Sequence, residues 1–185
     1  MKYYLVTSFL ICLFCFDSLG QTNDFSVSLS GSEHITADGL ISSSDTAFTI
    51  FFWTKMDSSS TNGTFISNWD AASGCPNQQF KFQKSNDNIY VYSTGVSANY
   101  VGYALPPGYG NEWYHVAYTT HVSDSNRLYI NGVQVDKKPS NGTFCDGFTP
   151  TFSIGAEVGG LVATDFFVGL MDEVGMWNYP LSVAE

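Results

Sequence analysis

The sequence predicts an all-β, two-sheet antiparallel sandwich. Short runs of alternating apolar and polar residues are separated by clusters of Gly, Ser, Asn and Pro, the pattern of half-buried strands joined by turns. No stretch repeats apolar residues at three–four spacing for long enough to form a helix. Asn131-Gly132 stands between the alternating runs Arg127–Ile130 and Val133–Asp136. Both residue types tolerate positive φ, so the pair predicts a two-residue type I′ hairpin turn.

In chain order, strands are expected near Ser26–Leu29, Phe48–Lys55, Thr64–Trp69, Gln79–Gln83 and Asn88–Ser93. Further strands are expected near Trp113–Thr120, Arg127–Asn131, Val133–Lys137, Thr151–Ile154 and Phe166–Trp177. Asp57 to Gly63 reads as a loop tip, and Pro106 to Gly110 as an irregular connection. Two packed sheets bury alternating positions about 10 Å apart. Phe48, Ile50 and Phe52 then face one way, and Phe51 and Trp53 the other. Apolar residues on both faces mean either a strand covered on both sides or an outer face that binds something.

Residues 1–20 read as a secretory signal peptide: Lys2, an apolar run from Leu5 to Phe16, then Ser18-Leu19-Gly20 before Gln21. The run is too short to span a bilayer, which takes about 20 apolar residues. Residues 21–185 are expected to form a single domain, secreted and extracellular. The signal would remove one basic and one acidic residue, Lys2 and Asp17, so the net charge stays at −10. That acidity argues against nucleic acid and anionic membrane surfaces, which need clustered Lys and Arg. No later segment is long and apolar enough to insert in a membrane. Cys75 and Cys145 are the mature cysteines, and an even pair in a secreted chain reads as a disulfide. Closing a loop of roughly 70 residues stabilises by about 4 kcal/mol in the chain-entropy picture. Asn62-Gly63-Thr64 and Asn141-Gly142-Thr143 are glycosylation sequons.

The C-terminal half carries ordered motifs. They comprise Trp113, His115, Val116 and Ala117; Leu128, Tyr129, Asn131 and Gly132; and Ile154 and Gly155. They continue through Phe167, Gly169, Met171, Asp172, Glu173, Val174, Trp177, Asn178, Leu181, Ser182 and Glu185. In this order and spacing they resemble the LamG-like (laminin G/pentraxin-type, concanavalin A-like) jelly-roll domains. Ser30-Gly31-Ser32 and Phe48–Lys55 resemble the opening strands of that family, whereas about Ala71 to Gly110 carries no signature of it. The resemblance implies a jelly-roll topology. It also implies one structural Ca²⁺, with Asp172 supplying a side chain and Glu33 or nearby main-chain carbonyls as partners. Such a hard cation wants several oxygen ligands. The family motifs place Trp53, Trp113 and Trp177 in the core, and His115 is read as a packed, hydrogen-bonded structural residue.

Catalytic patterns are missing. A glycoside hydrolase of this fold class needs carboxylates spaced E-x-D-x-x-E, and none of Glu33, Glu112, Glu157, Glu173 or Glu185 begins it. Asp172 and Glu173 are adjacent and point to opposite faces of a regular strand. No Gly-x-Ser-x-Gly elbow occurs. Sugar-binding candidates are Trp69, Asp70, Tyr90 and Tyr92, aromatic faces with a carboxylate beside them. The expected function is a non-enzymatic, lectin-like or adhesive module binding carbohydrate or an extracellular protein. The alternatives are a divergent glycan-active hydrolase and a structural domain of a longer surface or matrix protein.

Overall fold

The computed structural model describes residues 26–37, 44–69, 78–93, 100–140, 151–159 and 162–182. The first sheet holds β1 (Val27–Ser30), β3 (Ala47–Met56), β8 (Tyr114–His121), β9 (Ser125–Ile130), β10 (Val133–Pro139) and β14 (Val168–Trp177), in the order β1-β14-β3-β8-β9-β10. The second holds β2 (Ile35–Ala37), β4 (Asn62–Trp69), β5 (Gln78–Ser85), β6 (Asn88–Ser93), β7 (Val101–Ala104) and β11 (Phe152–Ile154), in the order β2-β11-β4-β5-β6-β7. A separate hairpin pairs β12 (Glu157–Gly159) with β13 (Val162–Thr164). All the strand pairings are antiparallel.

The core lies between the two sheets and is largely aromatic. Phe48, Ile50 and Phe52 of β3 meet Phe65, Phe80 and Phe82 from across the sandwich, all at most 1% exposed. Strict alternation along β3 produces this, as the sequence suggests. Asn131 and Gly132 both take positive φ, 51° and 78°, with Ile130 opposite Val133, so the Asn-Gly hairpin forms as expected. The sheets are also tied at their edges, where the Gly102 amide of β7 donates to Asp136 Oδ2 of β10 at 3.0 Å. Lys84 is 1% exposed and donates its ammonium to the Ser60 carbonyl, with the Tyr109 ring 5.4 Å away.

The ten expected strands are all present, with ends moved by up to two residues. Among the described residues four short ones were not anticipated: β2, β7, β12 and β13, each of three or four residues. Such lengths show less than two full alternations, so periodicity cannot reveal them. The expected loop tip is shorter than read, because β4 begins at Asn62. The Asn62 sequon therefore starts a strand, with Asn62 itself exposed. A single 3₁₀ turn at Tyr109–Asn111 sits in the Pro-Pro-Gly connection. Residues 1–20, Asp70, Cys75, Cys145 and Asn141 lie outside the described residues.

Candidate functional site on the outer face of the first sheet

The outer face of the first sheet is built by β14, β3, β8 and β9. Phe51 and Trp53 point outward from β3, opposite Ala117 and His115 of β8. On β14 the register slips between Asp172, opposite Trp53, and Gly175, opposite Phe51. One extra residue is accommodated there, with Glu173 at φ 47°, so this is a β-bulge. Its consequence is a change of face. Met171 lies in the core at 2% exposure, and unbroken alternation would send Trp177 inward as well. After the bulge Met176 packs against the core, and Trp177 stands on the outer face opposite Thr49.

There Trp177 stacks on Phe51, with centroids 4.8 Å apart and rings inclined by 23°. Gly175 makes the stack possible: a Cβ at that position would lie 2.4 Å from the Phe51 ring. Gly175→Ala is therefore expected to push the Phe51 ring off Trp177. The overpacking should cost about 1–3 kcal/mol. An unchanged Trp177 indole N–H resonance in this variant would show that the contact does not hold the stack. His115 lies 5.8 Å from Phe51 and 5.2 Å from Trp53, centroid to centroid. The hairpin turn fixes its backbone: the His115 amide donates to Asn131 Oδ1, and the Asn131 amide to the His115 carbonyl, both at 2.8 Å.

These rings bound a trough of about 430 Å³, within the range of small-molecule sites. Ala117 and Thr119 lie along it, Phe51 and Trp177 form one wall, and Tyr129 faces them. The segment after β14 closes the Thr49 end. Thr49 Oγ1 donates to the Tyr179 carbonyl and accepts from the Leu181 amide, both at 2.8 Å. At the other end His115 is shared with a second, more open hollow formed by Trp53, Trp113 and Asn131. Trp53 is 36% exposed and Trp113 38%. Burial pushes the His115 imidazole below its ordinary value, and the Glu173 carboxylate opposes the shift only in part. The ring is therefore neutral at pH 7 and offers one donor and one acceptor.

This face corrects the assignment of Trp53, Trp113 and Trp177 to the core. Trp53 alternates outward on a face that no other described strand covers, and Trp177 is turned outward by the bulge. His115 is packed as expected, but it also lines both hollows.

The second sheet gathers Trp69, Tyr90 and Tyr92 on its own outer side. Trp69 and Tyr92 are 6.2 Å apart, and Lys81 Nζ lies 5.8 Å from each ring centroid. Lys81 is itself paired at 2.8 Å with Glu157 of the β12–β13 hairpin. Those two rings therefore already hold a cation that fastens the hairpin to the sheet. Tyr90 and Tyr100 meet edge to face at 5.1 Å and border a separate hollow of about 350 Å³ with Asn88 and Asp136.

Asp172 and Glu33 do not converge. Asp172 Oδ1 accepts the Glu173 amide at 2.8 Å. Glu33 accepts from the Ser30 amide and hydroxyl and from the Ser32 amide, and these bonds, led by the Ser30 amide, bring its carboxyl down to about 2. Ser30 stands opposite Val168, four residues and about 13 Å along β14 from Asp172. Among the described residues no three His, Cys, Asp or Glu side chains group to hold a metal ion. This geometry does not fit a calcium ion shared by the two carboxylates, and no step below depends on one.

A family model described as the concanavalin A-like lectin/glucanases superfamily matches residues 29–185. The chain belongs to that superfamily. Among curated proteins none matches it. Similar solved structures include the receptor-binding domain of botulinum neurotoxin C/D mosaic serotype, at 18% identity and a TM-score of 0.63, covering 85% of this chain and 40% of that one. The serotype D binding domain matches at 19% identity and 0.64, over 85% of this chain and 40% of that one. A type C structure, which reports that cell entry depends on interaction with two ganglioside molecules, matches at 17% and 0.64, over 90% and 42%. The chain thus spans about two-fifths of those chains. At these identities the likeness is one of fold, and it agrees with the two-sheet jelly-roll sandwich read from the sequence.

Proposed function

We propose that the chain is a secreted, non-enzymatic carbohydrate-recognition module that binds its ligand in the trough on the first sheet. The observation that carries this reading is the continuous aromatic surface from Trp177 and Phe51 past His115 to Trp53 and Trp113. Sugars present C–H faces that stack on such rings, while their hydroxyls bond to polar groups at the margin. His115, Thr119 and Tyr129 supply those groups here. Among the described residues no carboxylate lines the trough, whereas glycoside hydrolysis needs two flanking the scissile bond. The fold similarity to toxin binding domains, one of them solved with SialylT, supports recognition of glycans in general. A second reading places the ligand in the hollow beside Tyr90 and Tyr100, where Asp136 adds a carboxylate.

A glycan array probed with wild type, Trp177→Ala and Tyr90→Ala separates the two. The expected result is retention of a defined glycan set by wild type and by Tyr90→Ala, lost in Trp177→Ala. Loss only in Tyr90→Ala would move the site to the second sheet. Failure of wild type to retain any glycan, with capture of an extracellular protein instead, would replace the carbohydrate reading.

A further inference from the structure

The charges around the trough are one-sided. Among the described residues no Lys or Arg lines it. Across the sheet Arg127 of β9 stands opposite Thr119, and it is ion-paired with Asp124. Lys137, opposite Arg127 on β10, acts on that same Asp124 carboxylate. Lys55 lies on the outer face one step past Trp53 and lines neither hollow. Among the described residues His115 is the one basic group that lines both hollows, and burial lowers its tendency to take up a proton. On the acidic side, Glu173 in the bulge is close enough to act on the His115 ring, and Asp172 stands opposite Trp53. The chain as a whole carries −10.

An anionic group seated in such a trough would lose water and meet no cation. Burying a charge without a partner is strongly unfavourable. A hydroxyl group meets the opposite situation, because a neutral imidazole, a phenol and a threonine hydroxyl can each donate or accept. The closed Thr49 end adds a steric limit, since a chain cannot run on past Tyr179 and Leu181.

We infer that this trough, taken as the carbohydrate site proposed above, receives an uncharged terminal sugar and rejects one that carries a carboxylate or sulfate. Specificity of this kind comes from the unpaired charge that a wrong ligand would bury, as well as from contacts to the right one. Glu173 acts as a selectivity residue through its charge.

The test is an array of neutral oligosaccharides printed beside the sialylated, sulfated and uronic-acid forms of the same cores, probed with wild type and Glu173→Gln. Neutral forms are expected to bind wild type, and the forms with a charged terminal sugar to bind about tenfold more weakly or worse. Glu173→Gln should narrow that gap while leaving neutral binding unchanged. Equal or tighter binding of the acidic forms would overturn the selectivity while leaving the carbohydrate reading in place. Absence of binding to every form would overturn both. A gap that Glu173→Gln leaves untouched would remove Glu173 from the account.

Discussion

Phe52→Ala is expected to destabilise the protein by about 3–5 kcal/mol, the usual cost of removing a buried phenylalanine ring. Phe52 is fully buried in β3, at the centre of the first sheet. Its ring meets Phe65 at 5.4 Å and Phe82 at 5.8 Å across the sandwich. Those neighbours sit on hydrogen-bonded strands that cannot close in on the vacated space, so the cavity term adds to the lost transfer energy. Domains are stable by only about 5–15 kcal/mol in total. The variant should therefore show a large fall in urea midpoint at unchanged slope. A loss under about 1 kcal/mol would mean that the space refills and that the packing described here is not rigid.

Trp177→Ala is expected to weaken glycan binding by about 2 kcal/mol or more, roughly 30-fold, as for a central aromatic anchor of an interface. The change removes one wall of the trough and releases Phe51, whose ring now rests on the indole. Stability should fall by less than in Phe52→Ala, because Trp177 is only partly buried and its face looks outward. Isothermal titration of both proteins with the best glycan from the array reads the first effect, and urea unfolding reads the second. Equal affinities would remove the trough from the binding reaction. A stability loss as large as that of Phe52→Ala would return Trp177 to the core.

The fold was legible because alternation and turn chemistry are local. Asn131-Gly132 specifies its hairpin without help from distant residues, and the period-two pattern of Phe48, Ile50 and Phe52 marks the core face of β3. The site was less legible, for two separate reasons. Trp53 carried a usable signal, since alternation puts it opposite the core, but its place in a family motif argued for burial. Trp177 carried a misleading one. Counting by twos from Met171 sends it inward, and only the extra residue between Asp172 and Gly175 sends it out. Nothing in Glu173-Val174 spells a bulge in the way that Asn-Gly spells a turn. It emerges from pairing with β3, which is a long-range contact. The second-sheet candidates show the opposite case. Trp69, Tyr90 and Tyr92 do meet in space, but the Lys81–Glu157 pair that occupies two of the rings comes from strands far apart in the chain.

The most direct test is the response of the tryptophan indole N–H resonances of an isotopically labelled sample to saturation with the bound glycan. The chain has four tryptophans, and the two outer faces divide them. Binding in the trough predicts large shifts for Trp177, Trp53 and Trp113 and none for Trp69. A shift confined to Trp69, with the other three unmoved, would contradict the account and place the ligand on the second sheet.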